Sequence, residues 1–299
     1  MQPDAANTTN AVGVVGAGTM GVGIAYVFAM AGHPVILVES DHSRSVEARA
    51  TMEQAAAEAV RRGKVPAEDA SRRLASIRFA ATIPELPEAL ALVIETVPER
   101  LDIKHRVLAG IDARSPAIIA TNTSALSIDD LATAVSRPDA FLGMHFFNPV
   151  WSLHLVELIR GAATSDATLK AATAFATGIG KKTAVVSDRP GFITSRLDLI
   201  LALEAIRMVE EGVASADDID VAIMTAYRHP VGPLRLTDLV GLDVRLDIAR
   251  HLGQAIGPRY APPRLLEEMV ARGELGRKSG HGFYDWSVEA DTGRAGQKA

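Results

Sequence analysis

One histidine and one glutamate in this sequence are spaced to work as an acid–base pair. Phe141-Leu-Gly-Met-His145-Phe-Phe-Asn148-Pro149 reads as a strand that ends among polar side chains. Residues 151–160 resume an extended pattern, with Leu155, Glu157 and Ile159 on one face. A hairpin turning near Trp151 places His145 opposite Glu157. Directly opposed Cβ atoms lie about 4.5–5.5 Å apart, within reach of a carboxylate–imidazole hydrogen bond. Such a carboxylate favours the charged ring and leaves the second nitrogen free as a base. Spacing alone equally allows a structural histidine beside an exposed acid.

A second constellation is built for a dinucleotide. Gly16-Ala-Gly18-Thr19-Met20-Gly21 follows the strand Val12 to Val15 and opens the helix Val22 to Met30. The first glycine permits a tight turn, the second lets the backbone approach a pyrophosphate, and the third lets helix pack on strand. The helix N–H groups and dipole would hold the phosphates. Glu39 stands at the end of the next strand, where a carboxylate accepts both ribose hydroxyls. A 2′-phosphate beside it would cost about 1–4 kcal/mol, and Ser40, Asp41 and His42 bring no arginine to offset this. NAD is therefore expected over NADP.

Thr121-Asn122-Thr123-Ser124 follows the strand Ala117 to Ala120, at the edge where open α/β sheets bind ligands. Its hydroxyls and amide could serve a substrate oxygen or the nicotinamide; a capped turn before a helix beginning near Ser127 is the competing reading. Arg61, Arg62 and Lys64 form a basic patch at the end of the helix Ser45 to Arg62. That patch suits an anion, and it also complements a helix dipole. The remaining histidines show no metal-ligand spacing with acids, and no metal is expected.

The elements that must position these residues follow from composition and pattern. Short β-branched runs (Ala11–Val15, Pro34–Val38, Leu92–Ile94, Ala117–Ala120, Thr183–Val186) alternate with Ala-rich helical stretches. This is the pattern of a parallel, doubly wound sheet covered on both faces. After Asp188 the strand signal stops. Phe192 to Glu211 reads as one long amphipathic helix, Ser215 as the cap of the next, and Leu239 to Leu252 and Pro263 to Arg272 as two more. The expected organisation is a short disordered tail over 1–10, an α/β domain over 11–188 and a mainly helical domain over 189–299. The 299 residues carry a formal charge of -5 and no cysteine. The charge argues against a nucleic-acid surface. Lack of cysteine excludes disulfides, thiolate metal sites and a cysteine nucleophile. No apolar run has the length of a membrane span, and a soluble cytoplasmic protein is expected.

Several unusual segments occur in order: GAGTMG, ETVPE (95–99), TNTSAL (121–126), MHFFNPV (144–150), LVELI (155–159), RPGFITSRL (189–197), GPLRLTDLVGLD (232–243) and GRKSGHGFYDW (276–286). Over nearly the whole chain after residue 10 they resemble the short-chain L-3-hydroxyacyl-CoA dehydrogenases, including the bacterial 3-hydroxybutyryl-CoA dehydrogenases. The resemblance implies a Rossmann-type N-terminal domain and a helical C-terminal domain that forms a homodimer. It implies NAD as cofactor and an acyl-CoA substrate, with His145 as general base, Glu157 as its partner and Ser124 bonding the substrate oxygen. By position, Glu99, Lys104, Asn148 and Lys278 match residues around NAD, and Arg62 matches a CoA-binding lysine. Two departures stand out. Ser195, placed by the resemblance in the catalytic set and still able to donate a hydrogen bond, replaces the asparagine usual after PGF, and Trp151-Ser-Leu-His154 replaces a proline and smaller residues. Related dehydrogenases of free hydroxy acids (gulonate- or carnitine-like) and non-catalytic NAD-binding proteins such as lens crystallins are the alternative readings.

Overall fold

The computed structural model describes residues 10–287. Nearly all of the tail expected at 1–10 lies outside them. Asn10 itself is held, its carbonyl accepting a hydrogen bond from His33 Nδ1 at 3.0 Å. The chain divides into two compact units, Met1–Phe192 and Ile193–Ala299. The division falls a few residues after the expected boundary because Asp188 is bonded into the first unit, accepting from Ser127 Oγ (2.7 Å) and Asp129 N (3.0 Å).

The first unit runs β1 (Val12–Val15), α1 (Thr19–Met30), β2 (Val35–Val38), α2 (His42–Arg61), α3 (Ala67–Ala75), β3 (Ile77–Ala80), β4 (Leu92–Glu95), α4 (Leu101–Asp112), β5 (Ile119–Thr121), α5 (Ile128–Ala132), β6 (Phe141–Phe146), β7 (Leu155–Arg160), α6 (Asp166–Gly178) and β8 (Lys182–Ser187). The strands form one sheet in the order β3-β2-β1-β4-β5-β6-β7-β8. The chain winds outward in both directions from β1, which puts the glycine loop at the switch point where such sheets bind ligands. Val12 and Val14 pack with Ile24 and Phe28 of α1 on one face. Val15, Val93 and Ile119 pack with Leu108 and Ile111 of α4 on the other. Burial on both faces explains why these strands read as unbroken apolar runs.

The sheet is not parallel throughout. β7 runs antiparallel to β6, and β8 pairs parallel with β7, so both are reversed against the rest. The tight connection after β6 dictates this, because a parallel return needs a long crossover. The segment Thr183–Val186 is therefore an edge strand, partly exposed, rather than part of the buried parallel core. In this unit α3 and β3 escaped the sequence pattern. α3 is polar, and β3 is a four-residue strand with Arg78 exposed. Helix α2 starts earlier than its periodicity suggests, since Asp41 caps it through Ser43 N.

The second unit contains α7 (Thr194–Glu210), α8 (Ala216–Tyr227), α9 (Pro233–Val240), α10 (Leu242–Ala255) and α11 (Arg264–Ala271) around its own apolar core. Ser215 caps α8 by accepting from Asp218 N. The helix expected over Leu239 to Leu252 is broken at Gly241, whose φ of 106° no side-chain-bearing residue adopts comfortably. Buried Asp238 draws the end of α9 to the 283–286 segment by accepting from Phe283 N, Tyr284 N and Trp286 Nε1. Among the described residues no helix is long and apolar enough to cross a membrane.

Candidate active site

Because β1, β2, β4, β5 and β6 are parallel, their carboxyl ends share one edge of the sheet. That edge carries the glycine loop, Glu39, the 95–99 segment, the 121–124 turn and His145.

At the glycine loop, Gly16 has φ +105°, and Thr96 Oγ1 latches the turn by donating to Val15 O and Gly16 O, both at 2.9 Å. A Cβ on Gly21 would stand 1.9 Å from Gly16 O, so helix and strand can approach this closely only without a side chain. A Cβ on Gly18 would meet nothing within 4 Å. The space in front of α1 is thus open where a pyrophosphate would lie, and no side chain caps the helix. Thr19 and Met20 form its first turn. Glu39 accepts from Ala17 N (3.1 Å) and Asp41 N (3.0 Å), which aims its carboxylate beside the loop. Next to it lies a hollow of about 410 Å³ walled by Phe79, Arg49 and His42. These residues fit a dinucleotide: a phosphate cradle, a ribose acceptor and an adjoining cavity.

The hairpin register is the expected one, with His145 opposite Glu157. His145 Nδ1 lies 2.8 Å from Glu157 Oε2, and Glu157 is fully buried. An ionised carboxylate only accepts, so Nδ1 carries the proton and Nε2 keeps the lone pair of the neutral ring. Phe147 and Phe192 flank the imidazole, with centroids 4.4 and 5.9 Å away. Phe192 takes a φ of 47° to do so. Neither aromatic is marked by sequence spacing.

The 121–124 turn sorts itself by hydrogen bonding. Thr121 Oγ1 donates to Glu95 (2.6 Å), Asn122 Oδ1 accepts from Phe146 N (2.8 Å), and Thr123 Oγ1 donates to Glu99 (2.5 Å). Three of the four side chains are turned to internal partners rather than to a ligand. Ser124 is exposed, its Oγ only 3.4 Å from Glu99 Oε1. Glu99 also accepts from the N–H groups of Ser124 (2.9 Å) and Ala125 (3.0 Å). Burial alone would raise its pKa, but Thr123, the nearby Lys104 charge and the two N–H groups outweigh that and hold it below the usual carboxylate range. Glu99 therefore orients Ser124.

Lys104 is fully buried. Its Nζ bonds Glu95 Oε1 (2.9 Å), Glu95 Oε2 (3.0 Å) and Val97 O (3.3 Å), with Glu99 at 3.4 Å. Lys104, expected by resemblance near NAD, is a buried internal tie between Glu95, Val97 and Glu99. Glu95, the hub of this network, had no signal beyond its place in ETVPE. Asn148 is exposed just past β6 and joined to Pro149 by a cis peptide. Arg62 caps α2 and pairs through Nε with Glu58. Hydrogen bonds from Arg61 and Arg62 pull the Glu58 carboxyl down to about 2. Ser195 and Lys278 belong to the second unit: Ser195 sits in the first turn of α7, and Lys278 bonds Asp243 at 2.5 Å.

Residues 11–189 match the NAD-binding domain of 3-hydroxyacyl-CoA dehydrogenases, and residues 191–286 match their C-terminal domain. The chain belongs to this family. It is 41% identical over 278 residues to a 3-hydroxybutyryl-CoA dehydrogenase of Bradyrhizobium diazoefficiens, covering 92% of this chain and 94% of the relative. It is 35% identical to human mitochondrial hydroxyacyl-coenzyme A dehydrogenase, covering 92% of this chain and 90% of that protein. The crystal structure of (S)-3-hydroxybutyryl-CoA dehydrogenase from Ralstonia eutropha superposes with a TM-score of 0.89 at 40% identity, over 93% of this chain and 99% of that one.

Proposed function

We propose that this member of the family catalyses the reversible NAD-dependent oxidation of an L-3-hydroxyacyl-CoA to the 3-ketoacyl-CoA. The observation that carries the assignment is the buried Glu157 on His145 Nδ1, with Nε2 left for a ligand at the edge that also bears the glycine loop. In oxidation His145 Nε2 takes the proton of the 3-hydroxyl. Glu157 fixes the ring and stabilises the imidazolium as it forms. Ser124, aligned by Glu99, donates a hydrogen bond to the same oxygen. NAD, when bound, supplies the acceptor for the hydride leaving C3. In reduction His145 returns the proton. The deciding assay compares NADH consumption with acetoacetyl-CoA, longer 3-ketoacyl-CoAs and free 3-keto acids. Turnover of free acids with none of the thioesters would defeat the CoA assignment.

Support for CoA comes from a groove of about 500 Å³ whose cationic lining includes Arg62, Lys64 and Arg73, with Tyr26 and Trp151 as apolar walls. Glu58 is the one carboxylate among its lining residues, so the groove is cationic in a chain of net charge -5. Arg62→Ala is expected to raise KM for acyl-CoA severalfold and leave KM for NADH within about twofold, a modest effect because the exposed guanidinium already shares Glu58. An unmoved acyl-CoA KM removes Arg62 from the substrate site.

Glu39 selects the cofactor. A 2′-phosphate beside its carboxylate costs about 1–4 kcal/mol, so kcat/KM with NADPH should fall below that with NADH by about tenfold or more. Equal turnover with both cofactors would reject this, and Glu39→Gln should narrow the ratio.

The second unit carries features of an interface. Leu197, Val221 and Tyr227 are large apolar or aromatic side chains left largely exposed. We assign these exposed side chains to a homodimer interface. Sedimentation equilibrium should give twice the chain mass, and a monomer at micromolar concentration would exclude it.

A further inference from the structure

Lys181 is buried, yet its ammonium has no carboxylate partner among the described residues. Nζ donates instead to two backbone carbonyls, Val150 O and, at 2.6 Å, Leu153 O. The neighbouring Lys182 N donates to His154 O at 2.6 Å. The start of β8 thus grips the β6–β7 connection at residues 150, 153 and 154. Burial pushes the pKa of the ammonium down. A buried cation that is solvated only by carbonyls is costly unless those carbonyls need it. Here Val150 O does, because its bond is buried and an apolar side chain at 181 would leave it unpaired.

The other side of the same turn is pressed on α1. A Cβ on Gly23 would stand 2.7 Å from Val150 Cγ2, so only glycine admits Val150 there. Trp151 meets Tyr26 edge-on, with centroids 5.9 Å apart. The turn is therefore wedged between the helix that opens with the glycine loop and the strand beside Glu157. It also joins the His145 strand to the Glu157 strand.

We propose that Lys181 is a positioning residue: by clamping the 149–154 turn it sets the His145–Glu157 pair relative to the nucleotide helix. Only the kinetic part of its test rests on the reaction assigned above. Wild type, Lys181→Met and Lys181→Arg are compared as purified full chains, with active sites counted by NADH binding. Lys181→Met should lower kcat for acetoacetyl-CoA reduction, per NADH-binding site, by about 10–100-fold, the scale of a misplacement near 1 Å beside reacting atoms. The primary isotope effect with deuterated NADH should rise as the chemical step becomes limiting. Lys181→Arg, which keeps charge and donors, should recover part of the loss.

The low-field proton resonance of His145 Nδ1 should move or vanish in Lys181→Met and persist in Lys181→Arg. That reading needs no turnover. An inactive wild type with a resonance that moves would refute the assigned reaction and uphold the positioning role. Wild-type kcat per site with an unmoved resonance overturns the proposal. So does a loss confined to the number of NADH-binding sites at an unchanged isotope effect, since a role in folding alone predicts that. Should Lys181→Met fail to fold, Lys181→Gln retains one donor group and is judged by the same three readings.

Discussion

His145→Ala is expected to lower kcat for acetoacetyl-CoA reduction by about 10²–10⁴-fold, the usual contribution of a positioned general acid or base. NADH affinity should change little, because the phosphate cradle and Glu39 lie on other strands. The variant should fold, since the imidazole is one member of a strand whose neighbours, Met144 and Phe146, are buried on the opposite face. Its local cost is a lost donor to a fully buried carboxylate, on the order of 1–3 kcal/mol. His145→Gln separates the two effects by offering Glu157 a donor without a base. It should melt closer to wild type and remain as inactive as His145→Ala. Steady-state kinetics and thermal melts of both variants check this, and a loss under tenfold in a folded variant would falsify the role of His145.

Gly21→Ala and Gly18→Ala should part company in a way that tests the nucleotide loop. At Gly21 an added methyl would sit 1.9 Å from Gly16 O and 2.6 Å from Thr96 Oγ1. Helix α1 must back away from β1, at about 1–3 kcal/mol for overpacking of this kind. The melting temperature should fall, and NADH binding should weaken about tenfold or more as the N–H groups lose their alignment. At Gly18 the φ of -72° suits alanine and the space in front is open. Gly18→Ala should therefore melt like wild type and still bind NADH poorly, because its methyl would occupy the ligand's place. Calorimetric titration with NADH beside thermal melts decides the matter. Tight binding by Gly18→Ala would mean that the pyrophosphate lies elsewhere.

The sequence was most informative wherever a contact is set by neighbours along the chain. The glycine loop is legible because strand, turn and helix are consecutive, and each glycine answers a local steric demand. The His145–Glu157 register is legible because a short connection and a period of two leave few ways to pair β6 with β7. Ser215 as the cap of α8 follows the same rule. Even the resemblance to the family rests on such local strings.

Where partners come from distant segments, only the tertiary structure decided. Nothing in the sequence marks Lys104 as buried, and folding sets it against Glu95. Thr121, Asn122 and Thr123 look available to a ligand until Glu95, Phe146 and Glu99 arrive from other strands and leave Ser124 exposed. The hold of Lys181 on Val150 and Leu153, and the fit of Val150 against Gly23, join segments that no periodicity connects. Residue type and spacing encode what a side chain can do and how near its chain neighbours lie. Which of its hydrogen-bonding options is consumed depends on long-range packing, where burial penalises every group left unpaired.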